Sequence, residues 1–164
     1  MLFPRNLKAM SLMEIGPVIF GPTDDLIAWL RSKGLLSTTQ TCSNCSVVMR
    51  NGHRSDVSDG VVWRCPQCKR TKSIREGSFF EKSRLPLKKW LLLMHYWSKQ
   101  FPAKDASDDA DVCKNTATDV YRWLREVCST TLLQTPIVLG GSGIVVQIDE
   151  SLFRHRVKVD TPAY

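Results

Sequence analysis

Cys42-Ser-Asn-Cys45 and Cys65-Pro-Gln-Cys68 are two CxxC pairs with nineteen residues between them. Each pair forms a tight knuckle that points two thiolates at one centre. Two knuckles on neighbouring hairpins close a tetrahedral four-cysteine shell, and the spacing lies within the zinc-ribbon range. Zinc suits such a shell because it binds thiolate well and has no d-electron preference for another geometry. With four protein thiolates no coordination position stays open, so Cys42, Cys45, Cys65 and Cys68 read as a structural metal site. The alternative is a pair of redox motifs. It fits less well, because a thioredoxin-like site expects one CxxC in a βαβ context and this segment is hairpin-like. His53, between the knuckles, reads as a loop residue, and Cys113 and Cys128 as small buried hydrophobes.

Strand-like fragments flank the knuckles at Val47–Arg50 and Val61–Arg64, with turn signals at Asn51-Gly52 and Asp59-Gly60. Before them, residues 1–22 carry three prolines and no clear period, which predicts an irregular lead-in. Thr23 is a candidate cap for a short helix with Asp24 and Asp25 in its first turn, ended by Gly34. After Pro86, Leu87 to Gln100 reads as a helix apolar nearly all round, hence buried on several sides. Lys104–Asp111 and Asn115–Thr131 follow as two helices around a turn at Val112-Cys113-Lys114. The second places Ala117, Val120, Leu124, Val127 and Thr131 on one face. Beyond Gly140-Gly-Ser-Gly143, Ile144–Ile148 reads as a strand, and residues 153–159 as a half-exposed strand with a basic outer face.

Charge is unevenly distributed. The chain of 164 residues has a net charge of +7. Residues 42–104 hold thirteen Lys and Arg against four Asp and Glu, a net of +9, and the remainder is −2. A focused basic field favours a polyanion, nucleic acid above all. Lys69, Arg70, Lys72, Lys88 and Lys89 are the candidate phosphate contacts, and binding through them would weaken with salt. Phe79 and Phe80 are either base-stacking residues or core anchors. Residues 105–128 have a helix–turn–helix layout, yet their net charge is −3. They read either as a DNA-binding pair, with Arg122 and Arg125 as base-edge candidates, or as a helical hairpin packed on helix 87–100. Asp149 and Glu150 end a strand, where an acid serves as a metal-binding carboxylate or as a turn residue. No apolar run approaches the ~20 residues of a membrane span, and no secretory signal opens the chain. The expectation is an intracellular protein, nuclear if eukaryotic and otherwise cytoplasmic, that does not engage membranes.

A ribbon followed by Arg75-Glu-Gly-Ser-Phe-Phe-Glu-Lys-Ser-Arg-Leu-Pro-Leu-Lys-Lys-Trp90, a helical segment, and Val145-Val-Gln-Ile-Asp-Glu-Ser151 resembles the N-terminal part of Merlin-type DDE transposases and their bacterial insertion-sequence relatives. The match covers roughly residues 24–156. The resemblance implies that ribbon and helix pair bind terminal inverted repeats of DNA. It implies that Asp149 is the first catalytic carboxylate, on the first strand of an RNase-H-like fold, helping to hold Mg²⁺ ions for phosphodiester chemistry. The chain stops at Tyr164, before the strands where the family carries its other two carboxylates, and its ending looks like a shortened or altered gene end.

The expected fold class is therefore α+β. It comprises a lead-in and short helix (1–39), a zinc ribbon (40–80), a helical, helix-turn-helix-like segment (81–135) and the first hairpin of an incomplete RNase-H-like domain (144–164). The expected function is transposase-derived, zinc-dependent DNA binding without catalysis, with Mg²⁺ relevant only to an assembled catalytic domain. The alternatives are an active subunit completed by homo-oligomerisation or a partner, and a zinc-ribbon transcription or RNA-binding accessory protein.

Overall fold

Ser11-Leu-Met-Glu14 has the spacing of a capping box, and the chain turns helical there. In the computed structural model, which describes residues 10–134 and 140–147, α1 runs Leu12–Phe20. The Ser11 hydroxyl accepts from the Glu14 amide, and the Glu14 carboxylate accepts from the Ser11 amide at 2.6 Å. This corrects the irregular reading of residues 12–20, which weighted Pro17 as a helix breaker. Pro17 and Met13 both face solvent, so the amide that Pro17 lacks falls on the exposed side of the helix. Ile15 and Ile19 lie on the opposite, buried face.

Helix α2 (Thr23–Ser32) starts after Pro22, and its first turn carries Asp24 and Asp25. Thr23 is the first helical residue and not the cap; no side chain caps this end. The C-terminus closes at Gly34, with φ +69°. The Gly34 amide bonds to the Arg31 carbonyl and the Leu35 amide to that of Leu30, a Schellman arrangement.

Three short strands follow: β1 (Arg50–His53), β2 (Val61–Arg64) and β3 (Thr71–Ser73). They form an antiparallel sheet in the order β1-β2-β3. Asn51-Gly52 lies inside β1 and not in a turn, and Val48 only bridges Thr41. The reason is steric. Gly52 pairs with Val62, and a Cβ at Gly52 would stand 3.2 Å from the Cβ of Arg64. The glycine makes room for a side chain on the next strand.

Helix α3 (Leu87–Ser98) buries Leu87 and every residue from Trp90 to His95, as an all-round apolar helix must. Against it pack α1, α4 (Ala103–Asp109) and α5 (Lys114–Gln134). Ala106, Ala110, Ala117, Val120, Tyr121 and Leu124 supply the inner faces of the α4–α5 hairpin. Phe79, Phe80 and Trp90 meet edge-to-face at 5.3–5.5 Å, so the Phe pair anchors the core. Ribbon and helices share one hydrophobic cluster, into which Met49, Val61, Trp63 and Ile74 project from the ribbon side. Ile144–Gln147 are exposed and form no strand; Ile144 makes one bridge, to Gly141. The other residues assigned to the last hairpin lie outside the described residues.

A buried ion pair within the ribbon reaches the start of the helical half through two further bonds. Arg75 donates to both carboxylate oxygens of Asp59, at 2.6 and 2.7 Å, with side chains 4% and 7% exposed. Asp59 also accepts from the Leu87 amide at the start of α3, and Arg75 donates to the Ser83 carbonyl at 2.8 Å. Removing one partner of a buried pair typically costs about 3–5 kcal/mol. We therefore expect Asp59→Ala to lower unfolding free energy by about that amount in denaturant titration, far more than Asp56→Ala, whose pair with Arg54 is exposed to solvent.

Candidate metal centre

The two knuckles repeat one backbone design. In the first, the Cys42 amide bonds to the Val47 carbonyl, and the Ser46 amide bonds back to the Cys42 carbonyl. In the second, the Cys65 amide bonds to the Arg70 carbonyl, and the Lys69 amide to that of Cys65. The residue after each second cysteine is left-handed, Ser46 at φ +55° and Lys69 at φ +61°. Neither is glycine, so each turn holds a conformation that costs an L-residue about 1–2 kcal/mol. This turn leaves both thiols of a pair on the inside of the loop.

The four sulfurs converge. Cys42 Sγ lies 3.4 Å from Cys68 Sγ, and Cys45 Sγ lies 3.3 Å from Cys65 Sγ and 3.8 Å from Cys68 Sγ. All four fit within 4.8 Å of one another. Four thiolates about 2.3 Å from a tetrahedral ion such as zinc stand about 3.8 Å apart. The set thus fits a metal ion without rearrangement of the backbone. Cys42 and Cys65 are buried, Cys45 and Cys68 half-buried.

The local field already favours thiolate at one corner. Amides of Asn44 and Cys45 aimed at Cys42 hold its thiol down at about 6. Cys45 is pushed the other way, to about 12, chiefly by the neighbouring Cys65 thiol and then by burial. Sulfurs this close share protons unless a cation replaces them. His53 ends β1 exposed and stands apart from this set.

The basic residues divide into engaged and free. Lys72 pairs with Glu76 at 2.8 Å, Lys88 donates to the Gly21 carbonyl at 2.7 Å, and Lys89 binds the Asp111 carboxylate at 3.0 Å. These three half-buried lysines brace the fold. Lys69 is exposed but folds its ammonium back onto the Pro66 carbonyl at 2.6 Å, while Arg70 is exposed. Arg122 and Arg125 both lie on the solvent face of α5, Arg122 paired with Asp119 at 3.1 Å. Cys113 is exposed and not buried, because it precedes the first turn of α5, with its sulfur 3.0 Å from the Thr116 hydroxyl. Asp149 lies outside the described residues. Sequence reasoning missed the pairing of Asp59 with Arg75, since Asp59 read as part of a turn.

Comparison with known proteins adds one similarity. The chain is 24% identical to male abnormal protein mab-31 of Caenorhabditis elegans over 85% of its own length. It spans 36% of that protein. No family model and no solved structure matches the chain. Among the described residues no helix is long and apolar enough to cross a membrane.

Metal analysis of the purified protein should give one tightly bound ion per chain, lost in Cys65→Ser. Binding requires all four sulfurs deprotonated, so loading should fall as pH is lowered, with protons displacing the ion. Metal content unaffected by Cys65→Ser would contradict this assignment.

Proposed function

We propose that the chain is a zinc-ribbon DNA-binding protein derived from a DDE transposase. The observation that carries the reading is a closed four-thiol shell embedded in the segment that holds the whole positive excess of the chain. Soft thiolates select zinc over Mg²⁺ or Ca²⁺, and four protein ligands leave no position for a substrate. The metal is then structural. It fixes the two knuckles from which the strands grow, and so fixes the basic groups they carry. DNA answers the charge, and the transposase resemblance of residues 24–156 supplies terminal inverted repeats as the natural target.

Catalysis by this 164-residue chain does not belong to the reading. Two-metal phosphoryl chemistry needs several carboxylates converging on ions about 3.5–4 Å apart. The resemblance assigns only Asp149 to that role here, and a single carboxylate holds Mg²⁺ weakly.

Zinc-loaded protein should bind duplex DNA in an anisotropy titration, with affinity falling steeply between 50 and 200 mM salt, by about 10-fold or more. Chelation should abolish binding together with the ribbon's fold. Preference for RNA at equal salt would favour the accessory-protein reading instead. With supercoiled or inverted-repeat DNA and Mg²⁺ or Mn²⁺ we expect no nicking or joining, and Asp149→Ala should bind as the unaltered protein does. Cleavage that disappears in Asp149→Ala would establish the enzyme.

A further inference from the structure

The ribbon sheet has two unlike faces. Alternation sends Val61 and Trp63 inward, and the Arg31 guanidinium from α2 covers Trp63 at 4.5 Å. The outer face presents Arg50, Gly52, Val62, Arg64, Thr71 and Ser73. All but Gly52 and Val62 are exposed.

Arg50 and Arg64 are direct cross-strand partners. Like charges placed so destabilise a sheet, by a few tenths to 1 kcal/mol in typical pairs. Neither has a hydrogen bond or ion pair among the described residues, in contrast to Arg54 nearby, which pairs with Asp56 and donates to the Thr71 hydroxyl. The three strands contain no acidic residue at all. Gly52 leaves the space over which the Arg64 stem lies, its absent Cβ falling 3.2 Å from Arg64 Cβ and 3.5 Å from Cδ. The sheet thus sets two arginines directly across from each other on one exposed face, without a neutralising partner among the described residues, beside the four-cysteine cluster.

We propose that this outer face, centred on Arg50 and Arg64, seats the phosphate backbone of double-stranded DNA. The proposal rests on the DNA-binding reading and names the surface that performs it. Guanidinium groups bind phosphate bidentately, and the hydroxyls of Thr71 and Ser73 add donors of the kind that position a backbone. The face has no aromatic residue on which an unpaired base would stack, and Trp63 is buried on the other side. That excludes the usual platform for single strands. The lysines at 72, 88 and 89 are already engaged within the fold, whereas these two arginines are not.

The test uses the full zinc-loaded chain, with a duplex DNA, a single strand of the same sequence and an RNA duplex as probes. Arg50→Gln/Arg64→Gln should reduce duplex DNA affinity about tenfold or more and lower the slope of log K against log salt by about 2, one counterion release per lost contact. Its Tm and zinc content should be unchanged or higher, since a repulsive pair is removed. Arg50→Lys/Arg64→Lys should retain most of the salt slope. Unaltered affinity and slope in the Gln pair, with the parent protein binding DNA, would overturn this surface while leaving the DNA-binding reading intact. Absence of duplex binding by the parent at low salt would overturn both. A lower Tm accompanying the lost affinity, or tighter binding to single strands or RNA, would also overturn the proposal.

Discussion

The Asp59–Arg75 pair is the interaction on which the arrangement depends. Both groups are nearly removed from water, which is costly for an ion unless every strong bonding position is filled. Here the positions are filled in a way that crosses the molecule. The carboxylate takes two bonds from Arg75 and one from the first amide of α3; the guanidinium reaches the Ser83 carbonyl. A negative group at a helix N-terminus is favourable electrostatically, and α3 has no capping side chain of its own. The ribbon's β1–β2 connection therefore supplies the cap of the central helix. Separating ribbon from helices would cost the buried carboxylate its bond from the Leu87 amide and the guanidinium its bond to the Ser83 carbonyl.

The metal centre acts within that frame. Two knuckles with the same backbone turn set four sulfurs at tetrahedral separations, and the sheet grows directly out of them through the Cys65–Arg70 and Cys42–Val47 turns. The strands in turn meet α2 where the Arg31 guanidinium covers Trp63. Arg31 also donates to Asn51 in β1 and to the Ser37 carbonyl. Charged groups thus divide into two populations. Lys72, Lys88 and Lys89 hold elements together; Arg50, Arg64 and Arg70 face solvent around the ribbon.

The acidic stretch 105–111 finds its explanation in the same way. Asp109 accepts from Tyr96 at 2.6 Å and Asp111 from Lys89, so two of its carboxylates fasten the α4 end to α3. Asp109 is also what raises the Tyr96 hydroxyl to about 12. The net negative charge that weighed against a DNA-reading helix pair is in part internal bonding, and the hairpin packs on α3 as a helical hairpin does.

Local chemistry was legible wherever a side chain's role is fixed by its own neighbours in sequence. Cysteine spacing announced the four-thiol set, the apolar circumference of residues 87–98 announced a central helix, and Gly34 announced a helix end. Expectations failed where a residue's meaning depends on what lies across from it. Gly52 looked like a turn because no sequence shows Arg64 lying over it. Pro17 looked like a breaker because its solvent-facing position within α1 depends on which face packs against α3. Asp59 and Arg75 are sixteen residues apart and look like ordinary surface charges; only the folded chain removes them from water and makes them a pair. The sequence determined by itself which four sulfurs gather in one place, since short loops dictate that geometry. Tertiary structure alone decided which of many positive charges remain unpaired, because neutralisation depends on three-dimensional neighbours and not on order along the chain.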